Sequence, residues 1–336
     1  MPRSRRNRIF AAWAAMGCLL VVAGAGWATV RQSDALEAGR TAYEKSDYPK
    51  AAQELRVAAA SKPQDGDIQL LLVKTYLELG EHDAAIASAQ RAVAINPESS
   101  VYHEWLGKAF GEKASDASMF SAFGLARRTH KEFETAVELD ARNFSARQAL
   151  IEFDCSAPGI VGGGLDKAQP HIEQLRSMDA SEWHYALGNC RRQKKDFETA
   201  DEEFQKSLES HPTSAELIYD IGDYEVRRSN ADRLLDVAAA GEKAAPADPR
   251  GLFYRAVAVV LKKERPKEAE RWLREYLNKA PKRNAFPRYS VAHDWLGRLF
   301  EEQGNTDAAA TEYEAAMRLD SKDKTAKDGL QRLGRK

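Results

Sequence analysis

The sequence predicts an all-α fold, a solenoid in which pairs of antiparallel helices are stacked one upon the next. Pro63 and Pro97 lie 34 residues apart, as do Pro212 and Pro246, and Pro281 follows 35 residues later. Between successive prolines the apolar residues recur with helical spacing, and Val, Ile and Thr rarely alternate with polar residues as they do in strands. A fixed period in the low thirties indicates a solenoid, because one helix pair cannot bury its apolar face without a neighbour.

The N-terminal residues have the pattern of an export signal or a membrane anchor. The basic segment 1–8 carries Arg3, Arg5, Arg6 and Arg8, and an uncharged, mostly apolar segment follows at 9–30. This length matches the ~20 residues that span a bilayer, although small residues within 23–28 would also suit signal peptidase. A retained transmembrane anchor and a cleaved signal peptide therefore both stay open. By the positive-inside rule, we expect everything after Arg31 outside the cytoplasm, in the periplasm.

Composition and motifs argue against several functional classes. The 336 residues carry a formal net charge of −1, so no basic excess indicates nucleic acid as a partner. Cys18, Cys155 and Cys190 lack metal-ligand spacing, and neither a metal nor a cofactor is expected. Cys155 and Cys190 fall on first helices of adjacent repeats. Because packed helices lie ~8–10 Å apart, a disulfide between them is not expected.

The residues within each period resemble the tetratricopeptide repeat. First helices carry Leu106-Gly107, Leu187-Gly188, Ile221-Gly222 and Leu296-Gly297, and second helices carry Ala51, Ala85, Ala200 and Ala309 at matching places. The resemblance covers residues 32–323, or about eight repeats, with insertions near 114–128, 157–164 and 282–289. A capping helix is expected at 322–334. The resemblance implies a right-handed superhelix whose concave groove binds a protein or peptide partner.

Two of the insertions contain unusual residues. The glycine-rich stretch at 157–168, APGIVGGGLDKA, lacks the Lys and Ser/Thr of a phosphate-binding P-loop and follows a helix rather than a strand. We therefore interpret it as a structural turn whose glycines supply positive φ angles. The segment 114–128 contains Met119, Phe120 and Phe123. It is expected to form a short extra helix lying on the solenoid, and a hydrophobic docking patch is the alternative.

One tyrosine in each of three successive repeats marks a candidate partner site. Tyr185, Tyr219 and Tyr254 share one register position, and Arg192, Arg227 and Lys262 lie near the ends of the same helices. Tyrosine is favoured at interfaces, and the cations would favour acidic side chains on a bound peptide. Packing of the tyrosines against neighbouring helices is the equally open alternative.

These observations predict an exported scaffold or adaptor that mediates protein–protein interaction. No nucleophile–base pair, carboxylate dyad or metal cluster can be assembled from the sequence, so no catalytic residue is assigned and the chain is not expected to be an enzyme. The alternatives are a structural, self-associating subunit and an enzyme that uses the groove or the glycine-rich loop.

Overall fold

The computed structural model describes residues 34–335. The regular secondary structure within these described residues is entirely helical, which confirms the predicted all-α fold class. The basic segment 1–8 and the anchor or signal segment 9–30 lie outside the described residues. Among the residues that are described, no helix has the length and apolar character needed to cross a membrane.

The described chain consists of helix pairs followed by one final helix. The helices are α1 (34–44), α2 (Tyr48–Ser61), α3 (Gly66–Glu78), α4 (His82–Ile95), α5 (Ser100–Ser115), α6 (Met119–Leu139), α7 (Phe144–Ser156), α8 (Leu165–Met178), α9 (Ala180–Gln193), α10 (Phe197–Glu209), α11 (Ala215–Arg228), α12 (Ala231–Ala244), α13 (Arg250–Lys262), α14 (Pro266–Lys279), α15 (Tyr289–Glu302), α16 (Thr306–Leu319) and α17 (Lys324–Arg332). They form two compact units, an N-terminal unit that ends at Leu125 and a C-terminal unit that begins at Ala126.

Local sequence signals explain where the helices begin and end. Short polar side chains accept hydrogen bonds from the first free backbone N–H groups of many helices, as Asp65 does for α3 and Ser214 does for α11. A proline follows two residues after the last residue of five helices, because the helical region is disfavoured for the residue before a proline. One of them is Pro158, after α7. The other four are Pro63, Pro97, Pro246 and Pro281.

In the N-terminal unit, small residues bring the helices close and larger ones fill the space between them. Ala51 and Ala85 have no exposed surface, and Leu55, Leu72 and Phe110 around them are at most 2% exposed. All five belong to one apolar cluster. Burying such side chains stabilises the stack by about 1.5–3 kcal/mol each, which isolated helices of this length lack.

In the C-terminal unit, aromatic rings pack directly against glycines of neighbouring helices. A Cβ atom added at Gly188 would lie 2.6 Å from the Phe204 ring, and one at Gly222 would lie 2.7 Å from the Tyr254 ring. Both rings are fully buried in the main apolar cluster of this unit. At Leu187-Gly188 and Ile221-Gly222, a ring of a neighbouring helix therefore occupies the space that a side chain would take.

The insertion at 114–128 does not form the expected separate helix. It lengthens the two helices that flank it: α5 continues to Ser115, and α6 begins at Met119 and runs for 21 residues. The expectation was wrong because the segment after Met119 contains no proline, and its single glycine, Gly124, is accommodated within the helix. Met119 and Phe120 at the start of α6 are 72% and 90% exposed.

The glycine-rich loop between α7 and α8 is a tight structural turn. Residues Gly159–Val161 form one 3₁₀ turn, and Gly162 follows with a φ of 112°. A Cβ atom at Gly163 would lie 2.2 Å from the carbonyl oxygen of Ala157, so this position also requires glycine. Because helix α7 precedes the loop, the structure confirms the interpretation as a turn with positive φ rather than a P-loop.

A disulfide joins Cys155 on α7 to Cys190 on α9, contrary to the expectation from the sequence. The two Cα atoms are 5.2 Å apart, and the side chains are 1% and 6% exposed. The expectation used the distance between helix axes. Since Cα atoms lie ~2.3 Å from their own axis, residues that face each other are about 4–5 Å closer than the axes are.

Candidate functional site

The first helices of successive pairs in the C-terminal unit border one open groove of about 580 Å³. Helices α7, α9 and α11 supply most of its surface, the start of α13 adds Arg250, and the segment after α14 adds Asn284 and Ala285. Apolar side chains such as Phe144, Ala149 and Leu217 alternate with polar ones. The remaining lining residues are Ser145, Gln148, Glu152, Asp179, Ser181, Glu182, Tyr185, Thr213, Ser214, Glu216, Tyr219, Asp220 and Asp223.

Tyr185 is the member of the proposed tyrosine row that lies partly open in this groove. Its ring packs at 6.0 Å from the ring of Phe204, and its hydroxyl donates a 2.8 Å hydrogen bond to Asp220. Burial and the Asp220 carboxylate raise the pKa of Tyr185 well above its usual value, so the hydroxyl stays protonated and acts as a donor. Tyr185 therefore links α9 to α11 across the groove.

Tyr219 and Tyr254 are core residues, which corrects their assignment as contact residues for a partner. They are 2% and 1% exposed, and their rings stack at 5.4 Å. The hydroxyl of Tyr254 lies 3.0 Å from the carbonyl oxygen of Tyr219 and 2.8 Å from a carboxylate oxygen of Asp223, both of which can accept its proton. The shared register position packs each ring between neighbouring helices, as Tyr254 does against Gly222. The repeat period alone does not distinguish positions at this seam, where neighbouring helices pack together, from positions on the face that is open to the groove.

The three cations proposed beside the tyrosines do not form one basic edge. Arg192 lies between two carboxylates, 3.7 Å from Glu152 and 3.5 Å from Asp220. Lys262 forms an ion pair of 2.6 Å with Asp232 at the start of α12, away from the groove lining. Arg227 is exposed on α11 and is also absent from that lining. The structure therefore does not place these three cations along one edge of the groove, and the preference for acidic side chains loses the geometry on which it was based.

Arg250 is the guanidinium that the sequence reading missed. It is 4% exposed, and Asp248 accepts hydrogen bonds from its Nε at 3.0 Å and from its Nη2 at 2.7 Å. The same group donates to the carbonyl oxygen of Ala285, and its charge lies 4.4 Å from the centroid of the Tyr219 ring. Arg250 thus fixes the segment after α14 at one end of the groove, and its charge is largely compensated by Asp248.

Carboxylates dominate the electrostatics of the groove. Burial raises the pKa of Glu152, Glu182 and Asp223, and a neighbouring carboxylate raises each of them further: Asp220 for Glu152 and Asp223, and Asp179 for Glu182. Arg192 acts in the opposite direction on Glu152. Partial desolvation and neighbouring negative charges thus make the ionised form of these three carboxyl groups less favourable than it is in water.

A repeat spacing connects several of the missed residues. Gln148 on α7 donates to a carboxylate oxygen of Glu182 on α9 at 2.7 Å, and the two are 34 residues apart. Glu216 and Arg250 continue the same spacing on α11 and α13. Asking which polar residues recur every 34 positions would have found this row, whereas the search for recurring aromatic residues found the core.

Within residues 34–335, no group of three or more His, Cys, Asp or Glu side chains is arranged to hold a metal ion. Several histidines lie beside carboxylates, such as His184 with Glu203 at 2.7 Å and His293 with Glu312 at 2.6 Å.

Comparison with known proteins identifies the repeats. Tetratricopeptide repeat models match residues 42–108, 162–215 and 292–323. These three matches support a tetratricopeptide repeat protein. The central match covers α8, α9 and α10, of which α9 borders the groove, and the last covers most of α15 and all of α16.

No curated protein matches the sequence. Similar solved structures include a MamA protein (21% identity, 54% of this chain and 91% of that chain, TM-score 0.41). A tetratricopeptide repeat protein from Parabacteroides merdae (13% identity, 90% and 99%, TM-score 0.44) and the APC/C hetero-tetramer Cut9-Hcn1 (14% identity, 89% and 55%, TM-score 0.49) are also similar. The tetratricopeptide repeats support a role as a protein–protein interaction scaffold.

Proposed function

We propose that the protein is an exported scaffold that binds a protein or peptide partner in the groove of its C-terminal unit, with the N-terminal segment as membrane anchor or signal. The observation that carries the proposal is the open row of first-helix faces on α7, α9 and α11. Each of these helices packs on its neighbours through its other faces, so the row is left free along successive repeats. Such a surface suits an extended segment that contacts several repeats at once.

The disulfide between Cys155 and Cys190 supports export. Disulfides form and persist in oxidising compartments such as the periplasm and are rare where thioredoxin and glutathione keep thiols reduced. The basic segment followed by the apolar segment 9–30 points in the same direction by the positive-inside rule. These two observations are independent of each other, since one concerns the folded repeats and the other the N-terminal sequence.

Site-specific photocrosslinking tests use of the groove. A photoreactive side chain placed at Ser145, which is exposed in the groove, should crosslink a partner in cells that produce the full chain. The matched control is Ser177, which is also an exposed serine but lies on the second helix α8, outside the groove lining. Adducts from Ser145 and not from Ser177 would support the proposal. Adducts from both positions, or from Ser177 alone, would contradict it.

A topology reporter tests export. A reporter enzyme that works only outside the cytoplasm, fused after Lys336, should be active when the native N-terminus is present. Replacing Arg3, Arg5, Arg6 and Arg8 by glutamate should reduce that activity. The positive charges that keep the N-terminal end on the cytoplasmic side, and so orient the rest of the chain outward, are then lost. Activity of a matched cytoplasmic reporter at the same position would overturn the export proposal.

A further inference from the structure

The sign of the groove charge indicates the chemistry of its occupant. Its lining contains six carboxylates and a single guanidinium, that of Arg250. The carboxylates come from α7, from α9 and the residue that caps it, and from α11. They are Glu152, Asp179, Glu182, Glu216, Asp220 and Asp223.

The cations near these carboxylates leave most of the negative charge uncompensated. Arg250 is held by Asp248 and is almost fully buried, so it cannot reach a ligand as a free cation. Arg192 is shared between Glu152 and Asp220 at distances longer than those of a tight ion pair. Glu216 is 78% exposed and lies 3.6 Å from the compensated Arg250. Arg227 lies outside the lining but is close enough to lower the pKa of Asp223. Among the described residues, the lining itself therefore offers an incoming cation six carboxylates and one guanidinium, which Asp248 already holds.

The groove also offers a hydrogen-bond acceptor, which suits a ligand that carries donors. The side-chain oxygen of Gln148 is buried and has no hydrogen-bond partner in the described structure, although its nitrogen is bonded to Glu182. An unpaired buried acceptor is unfavourable until a donor reaches it. Ammonium and guanidinium groups, and the N–H groups of an extended backbone, are such donors.

Apolar surface lies between the charged positions. Phe144, Ala149 and Leu217 line the same groove. Phe144 and Ala149 are partly exposed and Leu217 is buried, and the apolar surface that they present can pack against the aliphatic stems of long side chains. Lys and Arg bury their methylene stems along apolar surface while their charged ends reach carboxylates. The pattern of apolar and acidic positions thus matches long cationic side chains better than short polar ones.

Resting on the proposed function, we propose that the groove of the C-terminal unit binds an extended peptide segment that presents lysine or arginine side chains to Glu152, Glu216 and Asp223. Specificity comes from the charge of the groove, since an acidic segment would bring like charges together at every repeat. The interaction is expected to weaken as salt is added, because exposed charges are screened.

Fluorescence anisotropy with two labelled peptides tests the inference. One peptide alternates lysine with alanine and the other alternates glutamate with alanine, and both are titrated with the full chain in detergent at low salt. The triple variant Glu152→Gln, Glu216→Gln and Asp223→Asn removes three groove charges and keeps the shape of each side chain. The matched variant replaces Glu198, Glu202 and Glu209 on α10, which are exposed and outside the lining, by glutamine.

The lysine peptide should bind the wild-type chain, and the groove variant should bind it about ten-fold more weakly, as expected for three partly exposed charge pairs. The α10 variant has the same net charge as the groove variant and should bind the peptide as the wild type does. Circular dichroism melting curves verify that both variants are folded. Equal weakening in both variants would overturn the inference, because it would show attraction to net charge alone.

The other outcomes separate this inference from the proposed function. Binding of the glutamate peptide in preference to the lysine peptide would overturn the inference. If that peptide were also crosslinked from Ser145, the groove would remain the partner site. Binding of neither peptide would likewise overturn the assignment of a cationic segment, while the crosslinking experiment in cells still decides whether a partner occupies the groove.

Discussion

Removing the Cys155–Cys190 disulfide should substantially destabilise the C-terminal unit. The bond closes a segment with a sequence separation of 35 residues. On the chain-entropy account, cross-linking a loop of this length removes about 13 cal/mol/K from the unfolded ensemble, which corresponds to about 4 kcal/mol at 25 °C. We expect the double variant Cys155→Ala and Cys190→Ala to lose stability of this order. Alanine is chosen because both positions are buried and a serine hydroxyl would lack a partner.

The assay is urea unfolding followed by circular dichroism, with and without dithiothreitol. Reductant should destabilise the wild-type protein and leave the double variant unchanged, and the reduced wild type and the variant should unfold at similar urea concentrations. Alkylation provides an independent measurement. The intact chain should take one alkyl group, on Cys18, before reduction and three after it.

Two results would refute this reasoning. Alkylation of both Cys155 and Cys190 in chain isolated from its native compartment without reductant would show that the bond does not form there. Equal stability of the oxidised wild type and the double variant would show that the link adds nothing to the contacts between α7 and α9. The first result would also remove one of the two supports for export.

Two further predictions concern the core of the same unit. Replacing Tyr254 by alanine should lower the free energy of unfolding by about 3–5 kcal/mol, because a fully buried ring is lost. Tyr254→Phe should lower it by about 1 kcal/mol, because only the hydrogen bonds of the hydroxyl are lost. Urea unfolding measures both changes, and an alanine variant as stable as the wild type would contradict the placement of Tyr254 in the core. Asp294→Asn should stabilise the fold increasingly from pH 4 to pH 8, because burial and Asp323 raise the pKa of Asp294 to about 8 and unfolding releases this proton. The gain at pH 8 should stay below the roughly 6 kcal/mol to which the full shift in pKa corresponds. A difference in stability between variant and wild type that does not grow with pH would contradict the raised pKa.

The fold class could be predicted because its signals are local. A proline two residues after a helix end and a glycine against a neighbouring ring follow directly from backbone geometry, and both recur with the period. The continuous helix from Met119 was missed because an apolar segment of helical spacing does not reveal whether it starts a new helix or extends an old one. The disulfide was missed because the distance between axes was used in place of the distance between facing Cα atoms.

The candidate site could be predicted only in part. The register correctly places Tyr185, Tyr219 and Tyr254 at one position of successive repeats, but one face of a helix includes both the seam and the open surface. Tyr185 and Tyr254 differ in exposure although they share that position, because Tyr254 packs against Gly222 and Tyr185 reaches Asp220. The charge of the groove depends on which carboxylates face it together, and this is a property of several helices at once.

The contact between Arg250 and Ala285 has a consequence for how this protein can change in evolution. Arg250 opens α13, yet the carbonyl group it holds lies beyond α14, in the insertion that leads to the next repeat. The end of the groove is therefore encoded by residues on both sides of a repeat boundary. Repeats that are duplicated or exchanged as whole units would separate the guanidinium from its carbonyl group and leave a buried charge with one partner fewer. Recombination at this boundary should therefore be selected against, and the two segments should be inherited together.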